Sequence, residues 1–252
     1  MNHFTTQKKH FFNSIKIASL MVFVLVVFYV MEHVFGVDLH TLGILPRTPS
    51  NWYGIITHVF IHGDLTHLID NSIPLFILTA TLFYFYEKIA DIVFILLWIF
   101  TGILLWLMGR DDWHIGASGL IYALAAFLFV GGILRRHIPL LAVSLMVVFL
   151  YGNMIWHVFP WQQDDPVSWE GHLSGSIAGV IISLAFYKYG PQRTVKEWHE
   201  EQDTEDQKDL AKYAESFELE GDEDQYKAKT EEPEEKLEQE KDINGFRQSE
   251  FF

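Results

Sequence analysis

Three groups of residues in this chain carry reactive side chains at spacings that allow them to combine. The first lies in "THVFIHGDLTHLIDNSIPLF", which holds His58, His62, His67 and Asn71. His67 and Asn71 are four residues apart, so on a helix they share a face and can aim hydrogen-bond donors at one point. The second is Gly116-Ala117-Ser118-Gly119, followed one turn later by Tyr122. The third is "SWEGHLSGSIAGVIISLAF", where His172 precedes Gly175 and Gly179. A serine hydroxyl is a weak nucleophile until a base accepts its proton, and histidine is the base most often used. Add donors that face a developing oxyanion, and the set becomes capable of acyl transfer. Each group alone also has a plainer reading. Small residues let membrane helices touch, and buried His and Asn bond one helix to the next.

The elements that hold these residues are apolar. The chain has 252 residues, no cysteine and is half hydrophobic, but unevenly so. Residues 1–190 contain 11 acidic and 9 basic side chains, whereas residues 191–252 contain 21 and 9, so the tail carries −12 of the net −14. The overall acidity therefore belongs to the tail and says nothing about partners of the body. Lack of cysteine excludes disulfides and thiol chemistry. The body is poor in charge and rich in long apolar runs, which places it in the membrane class. Six segments approach the roughly 20 residues that cross a bilayer: 14–34, 65–86, 91–109, 117–134, 138–156 and 171–189. "IASLMVFVLVVFYVM" is followed by no small-x-small cleavage pattern, so the first segment reads as a retained helix, not a signal peptide. Lys8, Lys9, Lys16, Lys88, Arg135, Arg136, Lys188 and Arg193 all fall on one side if the helices alternate, which makes both termini cytoplasmic. The expected organisation is a segment 1–13, a membrane domain 14–190 and a tail 191–252. The tail, with stretches such as "EEPEEKLEQEKD", holds too little apolar surface to offset chain entropy and is expected to be largely disordered.

Ionisable residues inside a membrane default to a functional hypothesis. Ser118 falls at the start of the fourth span, where free N–H groups and the positive end of the helix dipole favour an anionic oxygen. His172 falls at the start of the sixth, and Gly175 and Gly179 form a face that a second helix can approach closely. If the fourth and sixth spans pack, His172 reaches Ser118, since both occupy the non-cytoplasmic ends. Tyr122 shares the Ser118 face and can stack under the imidazole. No intramembrane carboxylate is placed to orient His172; Glu170 is expected in the outer loop, facing water. A Ser-His dyad is the economical reading, with the Ser118 N–H, His67 and Asn71 as oxyanion donors. His58 and His62 have the i, i+4 spacing of a metal pair, but the HExxH glutamate and cysteines are missing, and no metal is expected.

In their order and placement, these motifs resemble the rhomboid family of intramembrane serine proteases. The likeness rests on His58…His62…His67…Asn71, Gly116-Ala117-Ser118-Gly119 with Tyr122, and His172…Gly175…Gly179, across residues 10–190. It implies an all-α, six-helix rhomboid-like bundle that cleaves single-span membrane proteins within or beside the lipid bilayer. In that pattern Ser118 is the nucleophile, His172 the general base, His67 and Asn71 part of the oxyanion hole, and Tyr122 a support for His172. Gly116, Gly119, Gly175 and Gly179 permit the close packing, and His58 and His62 are structural. No cofactor and no nucleic acid partner are implied, and the expected location is a bacterial inner membrane. One departure is the first loop: "LPRTPSNWYG" keeps Arg47 and Trp52 apart, where many bacterial relatives carry an adjoining Trp-Arg pair in a longer loop. Two other classes stand beside this reading. One is a catalytically silent rhomboid-like binder of membrane proteins. The other is a transporter or channel, disfavoured because no second half repeats the first and the polar groups crowd one end.

Overall fold

The computed structural model describes residues 3–150, 168–191 and 208–212. The chain divides into two units, Met1–Thr194 and Val195–Phe252. Of the second unit only residues 208–212 are described, and they are helical. The expected disorder of the acidic tail otherwise falls outside the described residues.

The described part of the first unit contains helices and no strand. Its helices are α1 (His3–His33), α2 (Gly54–Thr57), α3 (Leu65–Phe85), α4 (Ala90–Met108), α5 (Ser118–Arg135), α6 (Ile138–Leu150) and α7 (Trp169–Ala185), with short 3-10 turns before and after α2. In hydrocarbon each backbone polar group needs an internal partner, so long apolar runs become helices. Local polar residues set where these begin. The Asp64 carboxylate accepts from the His67 N–H at 2.8 Å and caps α3. The Ser168 hydroxyl accepts from the Gly171 N–H at 3.1 Å and caps α7.

Among the described residues, four helices are long and apolar enough to cross a membrane: Gln7–His33 within α1, then α3, α4 and α5. The fifth expected span, 138–156, is helical through Leu150, and its remainder lies outside the described residues. The sixth becomes α7, which has 17 residues, slightly under the length of a typical crossing.

α5 is the hub. In its apolar window 67% of residues are buried inside the protein, against 17% for α1, which packs mainly on α3. α5 packs against α3, α4, α6 and above all α7. Leu120, Ala123, Leu124, Phe127 and Leu128 on α5 are fully buried in the core. The α5–α7 contact is made backbone to backbone. A Cβ placed on Gly175 would lie 2.0 Å from the Gly119 carbonyl oxygen, and one on Gly179 would lie 2.4 Å from that of Ala123. The glycine face expected on the sixth span therefore does bring the two helices together.

The far end of this pair holds a feature that residue spacing did not suggest. Arg135, one of the basic residues that set the cytoplasmic side, is only 5% exposed. Its guanidinium donates to the Phe186 and Tyr189 carbonyls at 2.6 and 2.7 Å and to the Tyr86 hydroxyl at 3.3 Å. It closes off carbonyls left free beyond the last turn of α7, as a cation at a helix C-terminus does.

Candidate active site

Ser118 is the first helical residue of α5, and its N-cap, Ala117, offers no side-chain cap to the helix's leading N–H groups. Gly116 precedes it with φ of +106°, a conformation that favours glycine. Space makes the same demand. A Cβ at Gly116 would lie 2.7 Å from His67 Nε2 and 3.5 Å from Asn71 Nδ2. His67 and Asn71 thus converge from α3 on the backbone two residues before Ser118. Asn71 is 5% exposed, and its amide nitrogen is buried with no hydrogen-bond partner among the described residues. Such an orphan donor costs free energy, of order 1–3 kcal/mol, unless something else accepts from it.

His172 lies in the first turn of α7, 4% exposed. The Tyr122 ring stacks on it, with centroids 4.2 Å apart and planes 14° from parallel. Tyr122 is one turn after Ser118, and Gly175, less than a turn after His172, presses on Gly119. Ser118 and His172 therefore stand at one level on facing helices, with Tyr122 as a floor beneath the imidazole. α3, α5 and α7 supply the expected residues to a single end of the bundle.

His58 and His62 are buried and bonded to nearby main chain. His58 Nδ1 bonds the Gly54 carbonyl at 2.9 Å, and the His58 carbonyl accepts from the Gly116 N–H at 2.9 Å. His62 Nδ1 meets the Phe60 carbonyl at 3.3 Å, and its ring lies edge-on to His67 with centroids 4.9 Å apart. Among the described residues no group of three or more His, Cys, Asp or Glu is arranged to hold a metal. The two histidines brace the loop under Gly116.

Burial holds both rings neutral, pulling His58 and His62 from 6.5 down to about 4. Unfolded, these rings bind protons near pH 6.5; folded, they bind them only near 4. Between those values the unfolded chain takes up more protons, so stability is full above pH 6.5 and is lost as pH falls through 4. Each ring accounts for about 3 kcal/mol. The detergent-solubilised protein should show a flat unfolding midpoint above neutrality and a progressive fall on acidification. A midpoint constant or rising from pH 7 to 4.5 contradicts this.

Glu170 corrects an expectation. It does not sit in a loop facing water but in the first turn of α7, 4% exposed. It accepts from Arg110 Nη1 at 3.4 and 3.5 Å. The adjacent cation lets a carboxylate be buried, and the helix N-terminus favours its charge. The pairing does not show in a one-dimensional reading, because Arg110 is 60 positions away.

Comparison with known proteins agrees with this architecture. The model of the Rhomboid domain matches residues 49–189, more than half the chain. The chain belongs to the rhomboid family. It is 33% identical over 192 residues to an uncharacterized protein of Mycobacterium tuberculosis, covering 71% of this chain and 77% of the relative. An uncharacterized protein of Mycobacterium leprae is 34% identical over 185 residues, covering 67% and 70% respectively. With its apolar helices, the rhomboid chain is a multi-pass integral membrane protein.

Proposed function

We propose that this rhomboid protein is an intramembrane serine endopeptidase that cleaves single-span membrane proteins in or next to the bilayer. The observation that carries the reading is the stack of Tyr122 on His172 across the glycine contact of α5 and α7, which sets Ser118 and His172 at one level. His172 takes the Ser118 proton as the hydroxyl attacks the scissile carbonyl, and later gives it to the leaving amine. The developing oxyanion is met by the Ser118 N–H at the uncapped start of α5, by His67 and by the orphan Asn71 amide. Water then releases the acyl group. The reaction requires no cofactor. The positive-inside pattern sets both termini in the cytoplasm and the site near the opposite face; the mycobacterial relatives point to a bacterial plasma membrane.

The test uses the full chain in detergent with a panel of single-span substrates and a serine-reactive fluorophosphonate. The expected result is substrate cleavage together with a covalent adduct confined to Ser118. If no substrate is cut and Ser118 takes up no label, the protein is a binder of membrane segments on the same fold, and the protease reading fails.

A further inference from the structure

The loop between α4 and α5 and the first turn of α7 are joined by polar contacts that the proposed chemistry does not use. His114 lies four residues before Ser118, and Ser168 lies four before His172. His114 Nδ1 and Ser168 Oγ are 2.6 Å apart, and His114 Nε2 is 3.1 Å from the Arg110 carbonyl. A carbonyl only accepts, so Nε2 carries the ring proton and Nδ1 accepts from the Ser168 hydroxyl. The Ser168 oxygen in turn accepts from the Gly171 N–H at 3.1 Å. The bonds thus run in one direction, from the cap of α7 into the loop before Ser118.

Both ends are held. The Ser168 carbonyl accepts from the His172 N–H at 3.3 Å, so the position of Ser168 is passed to the His172 backbone. On the other side His114 exchanges two 2.8 Å backbone hydrogen bonds with Ile44 of the first loop. Arg47 of that loop donates to the Gly109 carbonyl at 2.6 Å. The Arg110–Glu170 pair runs alongside, tying the same loop to the same turn of α7. Burial keeps the His114 ring below its usual proton affinity, and hence neutral.

We infer that His114 and Ser168, flanked by Arg110 and Glu170, form a latch that positions the His172-bearing turn against the Ser118-bearing turn. They are positioning residues, and their role rests on the protease reading above. Tyr122 supports the His172 ring from within the bundle; the latch sets the backbone from outside it.

Cleavage kinetics of the full chain, with NMR of isotope-labelled histidine rings, test the latch. Ser168→Ala should lower kcat on the order of tenfold, since small misplacements of reacting groups cost that much or more. KM should stay within about twofold, because no substrate contact is removed. Ser168→Thr, which keeps a hydroxyl that both caps and donates, should restore kcat. His114→Phe, which keeps an aromatic ring but no ring nitrogen, should match Ser168→Ala, and the double variant should be no slower than the slower single. In the NMR spectrum Ser168→Ala and His114→Phe should each move the His172 ring resonances, and Ser168→Thr should leave them in place. An unchanged kcat in Ser168→Ala, failure of Ser168→Thr to rescue, or losses that multiply in the double variant would overturn the latch. If Ser168→Ala does not fold, His114→Phe reads the same coupling. If the wild type cuts nothing, the spectrum decides alone. Movement of His172 in His114→Phe then upholds the latch while the protease reading falls, and a fixed His172 removes the latch.

Discussion

Ser118→Ala should lower the cleavage rate of a single-span substrate on the order of 10⁴-fold or more, and His172→Ala should do nearly as much. The reason is that the two groups act in one step. Without the base the hydroxyl keeps its proton, and without the hydroxyl the base has no nucleophile to activate. The double variant should therefore be no slower than either single, which is the signature of residues that work as a unit. Asn71→Ala should fall between, with a loss of about 10² to 10³, since one oxyanion donor contributes about 3 kcal/mol. Ser118 is only half-buried, so its truncation leaves the fold intact and the unfolding midpoint unmoved. Steady-state cleavage with purified variants is the measurement. Wild-type rates in Ser118→Ala, or losses that multiply in the double variant, would sink the dyad.

Gly175→Ala should cost both folding and activity. In most helices alanine is favoured over glycine by about 1 kcal/mol. Here the added carbon would lie 2.0 Å from the Gly119 carbonyl oxygen and 2.9 Å from its carbon, and backbone cannot rotate out of the way. α7 must shift outward, and overpacking of this kind costs about 1–3 kcal/mol or more, enough to outweigh the propensity gain. The same shift carries His172 away from Ser118, so kcat should drop further than the stability loss explains. Gly63→Ala is the control: its nearest neighbour would be Ile115 Cδ1 at 3.8 Å, an ordinary contact. Thermal unfolding in detergent should place Gly175→Ala well below wild type and Gly63→Ala beside it. An unchanged midpoint and rate for Gly175→Ala would mean that α5 and α7 do not meet as described.

Residue types and spacing made much of this legible. His67 with Asn71, Ser118 with Tyr122, and His172 with Gly175 each mark one helix face, because side-chain direction repeats with the helical period. Hydropathy separated the apolar body from the acidic tail, and Asp64 and Ser168 are side chains of the type that start helices. What spacing could not show is anything that depends on a partner far along the chain. Glu170 looked like a water-facing loop residue, because its burial depends on Arg110. The burial of Arg135 leaves no mark in spacing either, because the carbonyls it serves belong to the end of α7. His114 carries no mark in the sequence, since a lone histidine in a short loop has no pattern.

By itself, the sequence determined that the body is built of apolar helices, and it offered faces and residue types able to react or to donate. Those properties are local: chain entropy, hydropathy and side-chain period act over a turn or two. Only the tertiary structure decided that His67 and Asn71 meet above Gly116, that Tyr122 lies flat on His172, and that α7 is tied at both ends through Ser168 and Arg135. These are contacts between helices. They are set by how closely two backbones approach, and spacing marks the glycines that permit an approach without fixing which backbone atoms meet them.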